Sequence, residues 1–201
     1  MPTTELHPSD AELIEAYGHG DERSFELLVN RHLPAVYRFL LRMTADPHTA
    51  EDLTQETFLK AWRHLNRFDR SKSFSTWLFT IGKNTVLDFF KKKRAIPFSE
   101  IDAGNPDDTD GFESSLADLS PLPSDLAERA ELGKRLEALL ATLPPAQRMA
   151  IVLHETEGLT FREVADILGE PLDTVKSRHR RGMIALRTEI ERLNSQKNSS
   201  T

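Results

Sequence analysis

Five basic residues and no acidic residue fall within positions 176–187, which read KSRHRRGMIALR. An arginine guanidinium can donate two parallel hydrogen bonds to a guanine edge, and lysine and arginine can both pair with phosphates. The segment therefore has the chemistry needed to bind duplex DNA. A basic helix that only improves solubility is the simpler alternative, so the neighbouring elements have to distinguish the two.

The residues around this basic segment predict a helix-turn-helix. Thr160 and Glu163 form a capping box that starts a short helix, and Gly169 supplies the turn after it. The buried face of this helix is expected to be Val164, Ala165, Ile167 and Leu168. We expect Asp173 to cap a second helix that begins at Thr174. Its apolar positions are Val175, Met183 and Leu186. A turn and a cap followed by five cations favour DNA binding over a merely solvated surface.

The charges of the chain are arranged in blocks that the net charge of -6 conceals. Residues 60–94 contain ten Lys or Arg and two Asp, whereas residues 99–131 contain ten Asp or Glu and one Arg. Two basic blocks on either side of an acidic one indicate a nucleic-acid partner. The first basic block also contains Phe74, Trp77, Phe79, Phe89 and Phe90. Their helical spacing favours core positions for most of them over platforms for stacked bases.

Nearly every periodic segment predicts an α-helix, so we expect an all-α fold of two small helical domains joined by a flexible acidic linker. The predicted boundaries are 9–95 for the first domain, 96–126 for the linker and 127–193 for the second domain. Residues 194–201 are expected to form a frayed tail. The linker is rich in Pro, Gly and acidic residues, which cannot bury enough apolar surface to offset the entropy of ordering.

The positions of the first helices follow from their caps and breakers. Ser9 and Glu12 form a capping box, and the helix they open should end near Gly18. A longer helix should begin at about Asp21 and run through Pro34, and Asp46-Pro47 should separate it from a third. A fourth is expected at about residues 74–94.

Several classes of protein are made improbable by what the sequence lacks. The chain has no cysteine, which excludes disulfides and thiolate metal sites. It shows no signal peptide and no membrane-spanning segment, so a cytoplasmic location without membrane insertion is expected. The seven histidines form no convincing metal-ligand pair in the sequence, and no glycine-rich phosphate loop is present. We therefore expect no cofactor, no metal and no enzymatic activity.

Two groups of motifs resemble bacterial sigma factors. The segments LPPAQR (143–148), EGLT (157–160) and TVKSR (174–178) resemble the fourth sigma domain, most closely that of the extracytoplasmic-function (ECF) type. The segments AEDLTQETF (50–58) and FSTWL (74–78), with NT at 84–85, resemble the second sigma domain. The motifs occur in the family's order, and the lack of recognisable domains one and three fits the ECF type.

This resemblance implies an initiation factor that binds core RNA polymerase, recognises promoter DNA near the nucleoid and is held inactive by an anti-sigma protein. The alternative is a stand-alone helix-turn-helix regulator, which would leave the motif at 50–58 unexplained. A linker of roughly thirty residues extends to about 100 Å and has a coil dimension of ~30 Å. It can therefore bridge two promoter elements ~50 Å apart on the DNA.

The resemblance also implies a role for each matched residue. Docking on the clamp helices of the largest catalytic polymerase subunit would involve Asp52, Gln55, Glu56 and Phe58. Contacts to the minus-ten DNA would come from Phe68 and Asn84 for bases and from Arg67, Arg70 and Lys83 for phosphates. The minus-thirty-five element would be read by Thr174, Lys176, Ser177, Arg178, Arg180 and Arg181. Leu53 and Trp62 are expected in the core. Gly182 lies inside a predicted helix, where glycine costs roughly 1 kcal/mol.

Overall fold

The computed structural model of the chain describes residues 8–95, 133 and 135–198, and every regular element within these ranges is helical. The amino-terminal half contains α1 (Asp10–Gly18), α2 (Glu22–Thr44), α3 (Pro47–His64), a 3-10 turn (Leu65–Arg67) and α4 (Phe74–Ala95). The carboxy-terminal half contains α5 (residues 135–141), α6 (Pro145–Ile151), a π-helical turn (Val152–Thr156), α7 (Phe161–Leu168) and α8 (Leu172–Asn198). The all-α prediction is confirmed. The predicted linker, residues 96–126, lies outside the described residues.

The helix starts follow from local hydrogen bonds that the sequence predicts. The backbone amide of Ser9 donates to the Glu12 carboxylate at 2.7 Å, and the Glu12 amide donates to the Ser9 hydroxyl at 3.3 Å. Asp46 caps α3 by accepting from the Thr49 amide at 3.0 Å, directly before the proline that opens the helix. These bonds satisfy amides that have no partner within the first helical turn.

The core of the amino-terminal half lies where α2, α3 and α4 meet. It is built from the buried side chains Leu28, Val36, Phe39, Leu40, Met43, Ala50, Leu53, Ala61, Leu78, Phe79 and Val86. The rings of Phe39 and Phe79 meet edge to face with centroids 5.6 Å apart. Two buried threonines in α3, Thr54 and Thr57, donate to backbone carbonyls one turn earlier, so their hydroxyls remain satisfied without disturbing the core.

The structure corrects the predicted bounds of the last helix. It begins at Leu172, and the amide of Val175 donates to the carbonyl of Pro171 at 3.1 Å. Asp173 therefore lies in the first helical turn, where a carboxylate favours the helix dipole, and is not the capping residue. The helix also continues to Asn198, past the expected tail at residue 194.

Two large side chains at apolar positions of the helices are exposed, and one of them, Trp62, was expected in the core. Trp62 is 51% exposed and Met183 is 41% exposed. Both lie on helix faces that are only partly covered, and Trp62 reaches Tyr17 of α1 with its indole nitrogen. Apolar residues at helical spacing mark a face without specifying how much of it is packed. Leu53, in contrast, is buried as predicted.

The two halves of the chain contact each other. Helix α4 packs against α7, and α2 touches both α6 and the π-helical turn. Leu140, Leu143, Met149, Leu153, Val164, Ile167 and Val175 belong to the buried core of the carboxy-terminal half.

Candidate nucleic-acid interface

The helix-turn-helix is formed by α7 and α8 and is positioned by the residues that predicted it. Thr160 and Glu163 form the expected capping box, with the Thr160 amide donating to the carboxylate at 2.8 Å. Gly169 ends α7 in the left-handed conformation, at φ 68°, which glycine adopts without the penalty that other residues incur. The buried side chains of Val164, Ile167 and Val175 then hold the two helices together.

Close packing of α8 against α6 depends on Gly182. A Cβ atom at this position would lie 2.6 Å from Cδ1 of the buried Ile151 and 3.3 Å from Cβ of Gln147. The sequence indicated only the cost of a glycine inside a helix. The structure supplies a compensating reason: without a Cβ atom at this position α8 packs closely on α6, whereas a larger residue would have to displace the end of the buried Ile151 side chain.

The cations of α8 differ in how available they are for DNA. Lys176, Arg180 and Arg181 are exposed, and Arg181 donates from Nε to the carbonyl of Ser177 at 3.3 Å. Arg178 is half-buried and donates from Nη1 to Oε1 of Glu170 at 2.5 Å. Residues 172–181 of the helix therefore present three exposed cations, with Arg178 held in an ion pair and Thr174 and Ser177 half-buried beside them.

An interdomain cleft separates α4 from α6, α7 and the start of α8. It is lined by Lys83, Leu87, Phe90, Lys91, Pro144, Pro145, Ala146, Met149, Leu168, Glu170 and Arg178. Lys83 from the predicted minus-ten set and Arg178 from the predicted minus-thirty-five set thus lie around one cleft with Glu170. Burial lowers the pKa of Lys83, and the charge of Glu170 opposes part of that shift.

The remaining minus-ten candidates fall into a buried group and an exposed group. Phe68 is buried, and its ring lies 5.6 Å from that of Phe74 and 5.0 Å from that of Trp77. Arg67, Arg70 and Asn84 are exposed. Phe68 in this arrangement supports the loop before α4 and offers little surface to a base, whereas the other three side chains are accessible.

The outer face of α3 consists of Asp52, Gln55, Glu56, Leu59 and Trp62, all exposed. Glu56 pairs with Lys60 at 2.7 Å, and the indole nitrogen of Trp62 donates to the hydroxyl of Tyr17 at 2.8 Å. Phe58, predicted as a polymerase contact, is buried on the opposite side at 8% exposure. The sequence interpretation missed Leu59 and Trp62, which place two large apolar side chains beside the predicted polar contacts.

Two charged side chains lie at the contact between α2 and the carboxy-terminal half, and we call this contact the α2 junction. The buried guanidinium of Arg148 donates to the carbonyls of Met43 at 2.8 Å, Ala141 at 2.7 Å and Leu143 at 3.2 Å. Burial lowers the pKa of Arg148. The side chain of Glu157, 2% exposed, lies between the guanidinium groups of two arginines of α2.

In the described parts of the chain, no helix combines the length and the apolar character that crossing a bilayer requires.

Comparison with known families matches both halves of the chain. Residues 28–96 match the family described as Sigma-70 region 2, and residues 133–186 match Sigma-70, region 4. The chain is similar to the ECF RNA polymerase sigma factor SigW of Bacillus subtilis, with 32% identity over 90% of this chain and 96% of the relative. It is also similar to the ECF RNA polymerase sigma-E factor of Escherichia coli K12, with 34% identity over 92% of this chain and 96% of the relative.

Two solved structures share the arrangement of helices. CnrH in complex with the cytosolic domain of CnrY has a TM-score of 0.66 and 26% identity, covering 90% of this chain and 97% of that chain. The sigma factor RpoE of Bartonella quintana, in complex with the anti-sigma factor NepR, has a TM-score of 0.63 and 25% identity, covering 84% of this chain and 98% of that chain.

Proposed function

The chain belongs to the ECF group of RNA polymerase sigma factors, and from that premise we propose how its surfaces divide the work of promoter recognition. As a sigma factor it binds core RNA polymerase and directs transcription initiation at promoters. Family membership supports this function over a stand-alone helix-turn-helix regulator. We assign no catalytic activity to the chain, and we place its action in the cytoplasm with polymerase on the nucleoid.

The observation that carries the assignment of the minus-thirty-five contacts is the exposed cationic face of α8. Lys176, Arg180 and Arg181 are exposed cations in the first three turns of the second helix of a helix-turn-helix, the element that enters a major groove. Arg180 and Arg181 can each read a guanine edge or pair with a phosphate, whereas Lys176 suits a phosphate. Thr174, Ser177 and Arg178 complete the set once the ion pair between Arg178 and Glu170 opens.

The minus-ten contacts are assigned to exposed residues in the middle of α4 and in the segment that precedes this helix. Asn84 offers an amide that can hydrogen-bond an unstacked base, and Arg67 and Arg70 are exposed cations that can follow the phosphates. Phe68 acts by positioning this surface from the core, unless DNA binding moves its loop. Lys83 becomes available only when the interdomain cleft opens.

Polymerase docking is assigned to the outer face of α3. Carboxylates steer the approach of a basic partner, and a large exposed aromatic side chain supplies the apolar area on which affinity depends. Asp52, Gln55 and Glu56 fit the first role, and Trp62 with Leu59 fits the second. Phe58 supports the face from beneath.

The interdomain cleft also suggests how the factor changes between an inactive and an active state. Lys83 and Arg178 lie around one carboxylate here, yet the two promoter elements lie ~50 Å apart on the DNA. We propose that the described arrangement is a closed state and that the halves separate on the promoter. An anti-sigma protein that favours the closed state would keep the factor inactive, and both similar structures described above contain a partner protein.

Run-off transcription with sigma-free core polymerase tests the function directly. The full-length protein is added to core enzyme and a library of candidate promoter fragments. Transcripts that require the protein, and that disappear when Arg180 and Arg181 are both replaced by alanine, support the assignment. Duplex binding by the protein alone, with no response from core polymerase, would favour the regulator instead.

A further inference from the structure

Three side chains of metal-ligating type meet beside the helix-turn-helix. His154 and Glu155 belong to the π-helical turn before α7, and His179 belongs to α8. One ring nitrogen of each histidine and one carboxylate oxygen of Glu155 all lie within 4.8 Å of one another. Nε2 of His179 and Oε1 of Glu155 are hydrogen-bonded at 2.8 Å, so the imidazole proton between them is released to solvent when both atoms bind a metal. The cluster brings together residues that are 25 positions apart in the sequence.

The orientation of His154 is fixed by its surroundings. Its Nδ1 lies 2.7 Å from the carbonyl oxygen of Leu159. Because a carbonyl oxygen only accepts, Nδ1 must carry the proton, and Nε2 is left with an available lone pair. A ligating histidine is typically held in this way, with one ring nitrogen bound to a carbonyl or carboxylate and the other directed to the metal.

Aromatic contacts hold both imidazole rings in place. The ring of His154 stacks on Phe161 with centroids 3.9 Å apart and meets the ring of His179 edge to face at 5.2 Å. His179 in turn meets Phe161 edge to face at 5.1 Å. Both histidines are half-buried, so their rotamers are set by the fold, and only Glu155 is exposed and able to adjust.

We propose that His154, Glu155 and His179 form a binding site for a divalent first-row transition metal, with Zn²⁺ as the first candidate. Two imidazole nitrogens and a carboxylate oxygen are a donor set that zinc accepts, with water completing the tetrahedron. Metal–ligand bonds of about 2.0–2.2 Å place tetrahedral donors about 3.4 Å apart. The distances between the three donor atoms must therefore shorten on metal binding. Side-chain rotation, mainly of Glu155, can achieve this without a change in the backbone.

The charges around the cluster permit a cation. His179 is flanked in α8 by Arg178 and Arg180, which would repel a metal ion. Arg178 is paired with Glu170, and Arg180 is exposed to solvent, which weakens its field. Glu155 contributes the negative charge that offsets the ion, so its carboxylate is needed for affinity as well as for coordination.

Metal binding at this point would join the turn before α7 to the middle of α8. Since the unfolded chain cannot hold the three ligands together, bound metal stabilises the folded helix-turn-helix by mass action. Metal at about a hundred times its dissociation constant should raise the melting temperature by roughly 5 °C or more. This inference rests on the geometry of the cluster and is independent of the role in transcription.

The test is calorimetric titration of the full-length, EDTA-treated protein with ZnCl₂ in a buffer that does not bind metal. We expect one zinc per chain, and Co²⁺ at the same site should give the visible absorption bands of tetrahedral coordination. His154→Gln and His179→Gln should each weaken binding at least tenfold. Glu155→Gln changes an exposed side chain, so it keeps the test informative if either histidine variant folds poorly.

The matched control is His19→Gln, which removes the histidine of another exposed pair, His19 and Glu15, whose closest atoms are 4.0 Å apart. It should leave zinc affinity unchanged. Failure of the wild-type protein to bind zinc or cobalt stoichiometrically would overturn the proposal. So would undiminished stoichiometric binding in Glu155→Gln and His179→Gln together, because the metal would then be held elsewhere.

Discussion

Arg38 of α2 donates a hydrogen bond from Nη2 to Oε2 of Glu157 at 3.0 Å, and this bond joins two residues 119 positions apart. A second arginine, Arg42, approaches Oε1 of the same carboxylate at 3.6 Å without forming a hydrogen bond. The contact between the halves thus desolvates the carboxylate, and its two arginine partners offset only part of that free-energy cost. An ion pair in this situation can cost more than it contributes.

The pH dependence of closure follows from Glu157. Burial raises the pKa of its carboxyl group, and this effect exceeds the opposing effects of Arg38 and Arg42. A raised pKa in the closed state means that the contribution of Glu157 to closure is fully present below its ordinary pKa. That contribution is lost as the pH rises through the raised value. We therefore expect closure to strengthen as the pH falls from neutrality toward the ordinary range of a glutamate.

Single-molecule FRET can measure this closure, because the chain has no cysteine and accepts a labelled pair at the exposed positions Asn30 and Ala185. Glu157→Gln should remove most of the pH dependence and close at least as tightly as the wild type at pH 7. The glutamine oxygen still accepts from Arg38. An opened Glu157→Gln variant at pH 7 would mean that the ion pairs outweigh desolvation, contrary to this account.

Arg148 should be the more important residue of the α2 junction. Its guanidinium supplies donors to three carbonyls, and replacing it with methionine keeps much of the volume but leaves those oxygens without their donor. We expect Arg148→Met to lower the free energy of unfolding by roughly 2–4 kcal/mol. Urea denaturation followed by circular dichroism measures this. Arg162→Met, at an exposed position, is the control and should change stability little.

Gly182 provides a test in which helix propensity and packing predict opposite signs. Alanine is favoured over glycine in a helix by roughly 1 kcal/mol, but overpacking a core costs about 1–3 kcal/mol. The new Cβ of Gly182→Ala would meet Ile151 at 2.6 Å, so we expect a lower melting temperature. Gly82→Ala is the same change in buried α4, where the nearest atom is 3.7 Å away. Gly82→Ala should leave the melting temperature unchanged or raise it. An equal rise in melting temperature in both variants would contradict the packing argument.

Local features of this fold could be predicted from sequence because the residues that form them are close to each other in the chain. The capping boxes at Ser9 and Thr160 and the turn at Gly169 involve residues three or four positions apart. The chemistry of these residues determines the result almost independently of tertiary structure. The same reasoning failed at Asp173, because the helix begins at Leu172, directly after Pro171 and two residues before the expected start at Thr174.

The contacts between distant segments could not be predicted in this way. Arg148 finds the carbonyl of Met43 across 105 residues, and a buried arginine has no distinct signature in the sequence. Trp62 was expected in the core because it continues the helical spacing of apolar residues in α3, yet half of its side chain is exposed. His154 and His179 each look isolated in the sequence, and only the turn between α7 and α8 brings them together.

Variants on the exposed outer face of α3 should weaken polymerase binding with little effect on folding. Trp62→Ala should weaken binding to core polymerase at least tenfold, since large aromatic side chains often dominate interfaces. Stability should fall less than for a buried aromatic residue, because half of the side chain is exposed and the change removes only its buried half and its bond to Tyr17. Phe58→Ala is the contrasting variant and should reduce stability by roughly 3–5 kcal/mol. Fluorescence anisotropy with labelled protein and core enzyme distinguishes the two, and full affinity in Trp62→Ala would remove this face from the interface.

Replacing Arg180 with alanine should impair promoter recognition and leave polymerase binding intact. Its side chain is exposed on α8, and replacing a base-reading arginine by alanine costs about 1–3 kcal/mol, which is roughly 5- to 150-fold in affinity. The matched control is Arg187→Ala, on the same helix but paired with Glu191 at 2.9 Å and beyond the predicted recognition residues. Electrophoretic mobility shifts of the polymerase–promoter complex at several salt concentrations give both the affinity for the promoter and its dependence on salt. A base-reading role requires the loss to depend on promoter sequence, whereas a phosphate contact weakens all sequences alike and reduces the salt slope by about one unit. If Arg187→Ala were as damaging as Arg180→Ala, the effect would reflect the overall charge of the helix, and the assignment of Arg180 to base reading would fail.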